Sequence, residues 1–151
     1  MTSMKPLKIA GTRIDLGEPQ NITLTGSHSR REAVEVLAAQ ASADGARVVI
    51  IDPVADRPGA LAAVSFISDE ARRRRETLAG AESSWSESGI EPLLIVVNHS
   101  KHIDDKGRRA LISVARQSRR LGFTLLICDS VSSLPEGLSE LIGLHLSTED
   151  L

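Results

Sequence analysis

The chain has 151 residues, 41% of them hydrophobic and 25% charged, and a net charge of −2, a makeup that suits one globular domain with a real core. The near-neutral balance argues against a dedicated nucleic-acid binder, and three aromatic residues (Phe66, Trp85, Phe123) offer almost no platform for stacking bases. A single cysteine, Cys128, excludes an internal disulfide, no apolar run is long enough to span a bilayer, and the first six residues lack a signal-peptide core, so a cytosolic, membrane-free address is expected.

Short β-rich runs alternate with longer helical stretches, which predicts an α/β fold with a mostly parallel sheet. We expect one domain over residues 1–151: a leading β-hairpin within 1–20, a core over 21–147, and a polar loop at 80–91. The hairpin would join Lys8–Ala10 to Thr12–Leu16 at Gly11. Asn21–Thr25 reads as the first core strand. The helix after it, Ala33 to Ala43, carries Val34, Leu37, Ala38 and Ala41 on one face and stops at Gly45. Arg47–Asp52, with Val48 to Ile51 apolar throughout, reads as a strand covered on both faces. Pro53–Gly59 is expected as a turn and Ser65–Ile67 as a short strand, followed by a helix capped at Ser68–Glu70 and running to about Leu78. Leu93–Val97 is a third strand, Ile103–Leu121 a helix ended by Gly122, Phe123–Cys128 a fourth strand, and Leu138–Leu146 a turn with a final strand.

The segment Gly26-Ser27-His28-Ser29-Arg30-Arg31-Glu32-Ala33 stands between a strand and a helix, where a phosphate-binding P-loop belongs. Counted from Gly26, the positions of the loop's Gly-Lys-Ser/Thr hold Arg31, Glu32 and Ala33. The glycine that lets the backbone curl around phosphate has become a bulky cation. The phosphate-gripping lysine has become a carboxylate, and the magnesium-binding hydroxyl a methyl group. Ser29 to Glu32 also reads as a capping box, with Glu32 occupying the positive helix end, which favours the helix by about 0.3–1 kcal/mol where an intact loop receives phosphate.

The strand Leu93–Val97 ends in Asn98-His99, at the place where a P-loop ATPase carries an acidic pair for magnesium and the attacking water. The carboxyl ends of the strands also bear Asp52 and Asp129, where ligands of open α/β sheets bind. His99, His102, Asp104 and Asp105 have ligand chemistry, yet Asp104-Asp105 more naturally caps the next helix, and we expect no metal. Four successive arginines, Arg72–Arg75, spread around about 300° of a helix and are expected to be solvated, with one or two buried stems. Trp85 either pins its polar loop to the body or anchors a partner. Arg116, Arg119 and Arg120 either decorate an exposed helix end or join it as an interface.

Taken together, 21–147 resembles the motor domain of the FtsK/SpoIIIE (HerA–FtsK) family. Besides the two altered motifs, Ile50-Ile51-Asp52-Pro53 looks like the family's strand ending in Asp-Pro-Lys, with Val54 for lysine. Asp69 to Arg75 looks like its acidic-to-arginine helix, and Ala115 to Ile127 like its long helix and following strand. Cys128-Asp129-Ser130-Val131-Ser132 replaces the family's phosphate-sensing Ala-Thr-Gln-Arg-Pro. The resemblance implies a RecA-like three-layer sandwich, ring assembly, and duplex DNA or secreted-protein cargo, with Arg119 at the place of an arginine near subunit contacts. The resemblance allows nucleic acid as a partner; the net charge does not support it.

The residues therefore lead us to expect a pseudo-ATPase without cofactor. Its partner would be a protein, either an active relative or a further copy of itself. Two alternatives stay open: an ATP-binding translocase domain using Arg30 or Arg31 for the lysine, and an unrelated doubly wound domain that binds a small ligand at Asp52, Asn98, His99 and Asp129.

Overall fold

The computed structural model describes residues 7–9, 12–26, 30–79, 84–129, 134 and 136–147, with the backbone alone for 7–9, 12–13 and 30–31. Two short strands, β1 (Leu7–Ile9) and β2 (Thr12–Ile14), form the expected antiparallel hairpin with Leu7 opposite Ile14. The core then runs β3 (Asn21–Thr25), α1 (Arg30–Ala43), β4 (Arg47–Ile51), α2 (Arg57–Leu78), β5 (Leu93–Val97), α3 (Asp105–Arg116), α4 (Ser118–Leu121), β6 (Phe123–Ile127) and β7 (Leu144–Ser147).

Five strands form one all-parallel sheet in the order β4-β5-β6-β3-β7. The chain leaves β3, crosses two strand positions to start β4 at the edge, then returns through β5 and β6. Right-handed crossovers in opposite directions place their helices on opposite faces. The packing shows this division. Val34, Leu37 and Ala41 of α1 bury against Ile22, Leu24, Leu94, Val96 and Leu126, with Ile14 and Leu16 from the hairpin side. On the other face, α2 to α4 pack on Leu93, Ile95, Val97, Phe123, Leu125 and Ile127. Alternate residues of β5 and β6 thus serve two cores, the period-two logic of a strand, and both strands are wholly buried.

Three sequence expectations are corrected here. The expected turn is confined to Pro53–Ala55, and the strand at Ser65–Ile67 and the later cap do not exist as separate pieces: from Arg57 on, α2 is one 22-residue helix. Asp56 caps it by accepting from the Gly59 N–H, and Pro58 sits in the first turn, where its missing N–H costs nothing. Buried Ala60, Val64, Ile67, Ala71 and Leu78 keep helical spacing straight through the stretch that resembled a strand. Second, β4 does pack on both faces, with Val48 on the α1-side core and Val49 and Ile51 on the α2-side core. It is nonetheless an edge strand and the cover is incomplete: Ile50 is 54% exposed, and only Ile51 of its five residues is buried. Its apolar run mimicked a central strand because composition does not report strand order. Third, the Ile103–Leu121 helix is broken at Gln117 (φ −110°, ψ 7°) into α3 and α4.

The arginine run is solvated only in part, and one of its guanidinium groups is buried whole rather than by its stem alone. Arg72 and Arg73 are solvent-exposed, whereas Arg74 is 2% exposed. Its guanidinium donates to Glu70 Oε1 (2.9 Å) and to the carbonyls of Leu121 (2.7 Å) and Glu91 (2.9 Å), and lies 4.8 Å from the Phe123 ring centroid. One cation thus ties α2 to the end of α4 and to the lead-in of β5. Among the described residues, no helix is long and apolar enough to cross a membrane.

Candidate functional site

Adjacent strands β3 and β6 continue to opposite faces of the sheet. The first enters α1, and the second leads to a segment whose Leu138 joins the α2–α4 core. Such a divergence opens a crevice at the carboxyl ends of the strands. Those of the predicted vestigial residues that are described, from the P-loop position, β4, β5 and β6, are carried to that end.

Gly26 follows β3 with φ +106°, a conformation glycine adopts without strain. Ser27, His28 and Ser29 lie outside the described residues, as does the capping box that needs Ser29. Arg30 and Arg31 open α1. Glu32 is exposed in the first turn, and Ala33 packs partly against the α1-side core. A methyl group therefore faces apolar neighbours where the magnesium hydroxyl is expected.

The acids here are held by the protein itself. Asp52 Oδ1 accepts the N–H groups of Val54 (3.1 Å) and Ala55 (3.0 Å) and meets His99 Nδ1 at 3.0 Å. Burial pushes the Asp52 carboxyl up, but the bonds from Ala55, His99 and Val54 outweigh it and hold the group below its ordinary range. Asp129 Oδ2 accepts from the Ser100 N–H (3.0 Å) and the Ser100 hydroxyl (2.6 Å). Ser100 is 2% exposed. The backbone joins the same ends, with Asn98 N–H donating to Ile51 C=O and Cys128 N–H to Val97 C=O, both at 2.8 Å. His99 adopts left-handed backbone (φ 54°, ψ 49°), alone among the described non-glycine residues, a conformation that costs of order 1–3 kcal/mol. The turn it makes directs Ser100 to Asp129 while its own ring reaches Asp52.

The ring of His102 meets that of His99 edge-on at 6.3 Å. Asp104 caps α3, accepting from the Gly107 N–H at 2.8 Å, as its sequence position suggested. Among the described residues no three histidine, cysteine or acidic side chains converge as metal ligands. Ser100 is the participant that sequence reasoning missed. Its partner lies 29 positions away, and an isolated serine after a histidine carries no signal of a tether.

The interface candidates lie at the opposite end of the sheet. Trp85 is 6% exposed, and its ring packs on Gly122 so closely that a Cβ there would sit 2.6 Å from it. It pins the loop, the first of its two sequence readings. With Leu78 it floors a cleft of about 740 Å³ whose walls carry Asp15, Glu18, Arg119 and Arg120. Arg116 is exposed on α3, beside a separate groove with Arg109.

No protein-family model matches the chain, and no curated protein matches it in sequence. Solved structures do. The cytoplasmic domain of EssC superposes with a TM-score of 0.71 at 14% identity, over 90% of this chain and 34% of that one. The cytoplasmic domain of the Thermomonospora curvata type VII secretion ATPase EccC gives 0.64 at 15%, over 92% and 20%. ATPases 2 and 3 of the same EccC, solved with a signal sequence peptide, give 0.60 at 16%, over 92% and 32%. This chain thus spans about a fifth to a third of the proteins it resembles. Those are FtsK/SpoIIIE-type ATPase domains, and the chain has their RecA-like P-loop fold. The resemblance read from the sequence holds at the level of fold.

Proposed function

We propose that this domain is a pseudo-ATPase of the FtsK/SpoIIIE-like class. It neither binds nor hydrolyses ATP, and it acts through protein contacts as a regulator or scaffold of a secretion, conjugation or DNA-translocation machine. The observation that carries the proposal is the state of the strand ends. Where magnesium and water need free acids, β5 supplies Asn98 and His99, while Asp52 and Asp129 are engaged by His99, by Ser100 and by backbone N–H groups. Freeing either carboxylate breaks two or more hydrogen bonds, each worth about 0.5–3 kcal/mol. The Arg31-Glu32-Ala33 replacement argues the same way, since Glu32 brings negative charge to the helix end that would receive phosphate. The likeness to EssC and EccC supports a secretion machine as the setting.

Isothermal titration with Mg-ATP is the direct test. No binding is expected up to about 1 mM, a free energy weaker than about −4 kcal/mol. A micromolar dissociation constant would overturn the reading. So would turnover stimulated by duplex DNA and abolished by Arg30→Ala/Arg31→Ala, which would point to the translocase alternative.

A further inference from the structure

The outer edge of β4 is built to accept one more strand. Arg47 N–H donates to Pro92 C=O at 3.0 Å, and Ile51 C=O accepts from Asn98 N–H at 2.8 Å, in a register that sets Arg47 opposite Leu93 and Ile51 opposite Val97. Residues 47, 49 and 51 therefore bond inward to β5. By the period of two, the N–H and C=O of Val48 and Ile50 point away from β5, toward the side of β4 on which no described strand pairs with it. Proteins commonly blunt such an edge with proline, a bulge or an inward-pointing charge. Val48-Val49-Ile50-Ile51 has no proline or charge, is β-branched throughout, and leaves Ile50 54% exposed.

From this geometry we infer that β4 docks an extended segment of a partner protein by strand addition, with an apolar residue beside Ile50 and an acidic residue beside Arg47. The charge follows from Arg47 itself. It is exposed at the strand's amino end, with its guanidinium 4.5 Å from the Phe66 ring centroid, and it has no ion pair among the described residues. A carboxylate arriving there meets an unopposed cation already oriented by the ring. The occupant is a single strand and not a second copy of this chain. Helices α2 and α1 both contact β4, from opposite faces. Antiparallel edge pairing of two copies would therefore set α2 against α2, and parallel pairing α2 against α1, at a separation approaching the strand spacing of about 4.8 Å, inside the roughly 8–10 Å that packed helices need. A lone extended segment meets no such obstacle. The inference rests on the reading that the domain works through protein contacts, and it says where one such contact lies.

The test uses the ¹⁵N-labelled full chain and a panel of acetylated heptapeptides alternating valine and threonine, with glutamate or lysine at one end. Amide exchange at Val48 and Ile50 is expected to slow at least about tenfold with the glutamate peptides, which should bind more tightly than the lysine ones. Val48→Pro removes an outward N–H, at a place where an edge strand tolerates proline, together with part of the contact that Val48 makes with the α1-side core, and Ile50→Lys alters an exposed side chain. Both variants should keep the circular dichroism of the parent and bind at least about tenfold more weakly, or about 1.4 kcal/mol. Unchanged exchange at both amides with every peptide overturns the inference. So does protection that appears in the chain alone as its concentration rises, which would mean that a second copy takes the edge. A positive Mg-ATP titration would sink the pseudo-ATPase reading and leave this result standing.

Discussion

Removing the Arg74 guanidinium leaves Glu70 buried beside it and strips the donors from the Leu121 and Glu91 carbonyls. Glu70 keeps its bonds from Arg73, but two carbonyls lose their donors at about 1–3 kcal/mol each, so Arg74→Ala should lower unfolding free energy by about 2–5 kcal/mol in urea titrations. Arg72→Ala, on an exposed pair with Asp69, should stay within about 0.5 kcal/mol. Glu70 adds a pH signature. Burial pushes its carboxyl up, but the bonds and charges of Arg73 and Arg74 prevail and hold it below the ordinary glutamate range. The unfolded chain therefore takes up this proton at higher pH than the folded one. The stabilisation is complete above the ordinary range and is lost as pH falls through it and below. Urea midpoints of the parent should drop over that window, and those of Glu70→Gln should drop less.

At the scale of elements, the contact of the 84–89 turn with the start of β6 depends on one glycine. Gly122 ends α4 with φ +81° and lies against the Trp85 ring. Gly122→Ala brings both a left-handed alanine and a Cβ at 2.6 Å, and should destabilise by about 2–4 kcal/mol. Trp85→Ala should cost about 3–5 kcal/mol through the lost burial. A double-mutant cycle separates the causes. With the ring gone, Gly122→Ala retains only its backbone strain, so the two effects should fall short of additive by at least about 1 kcal/mol. A pinned tryptophan also leaves Glu18, Arg119 and Arg120 as the exposed charged groups of that cleft.

For the whole molecule, the proposed loss of function has two independent parts, because the P-loop follows β3 and the acid position ends β5, with β6 between them. Arg31→Gly/Glu32→Lys/Ala33→Thr would restore the phosphate-binding pattern. It is expected to bring Mg-ATP binding into the micromolar range by calorimetry while a coupled phosphate-release assay stays flat. Adding Asn98→Asp and His99→Glu should be required before any turnover appears. Turnover from the loop triple alone would show that the β5 end had not lost its chemistry.

Much of this was already legible in local patterns. Asn21–Thr25 and Leu93–Val97 fall at the expected boundaries because unbroken apolar runs between turn residues have few other solutions, and Gly45 and Gly122 stop their helices with the positive φ that glycine tolerates. Residue identity and spacing also supplied the basis of the proposed loss of function, Arg31-Glu32-Ala33 after β3 and Asn98-His99 after β5. Hidden from the chain alone were the tether of Asp129 to Ser100, the pairing of Asp52 with His99, the burial of Arg74 and Trp85, and the edge position of β4. Each depends on which groups meet across 17 or more positions, or on which strand lies outermost. Periodicity reports the neighbours a residue has within its own element. Only the packed sheet decides which distant group fills the space beside it, and which backbone groups are left facing water.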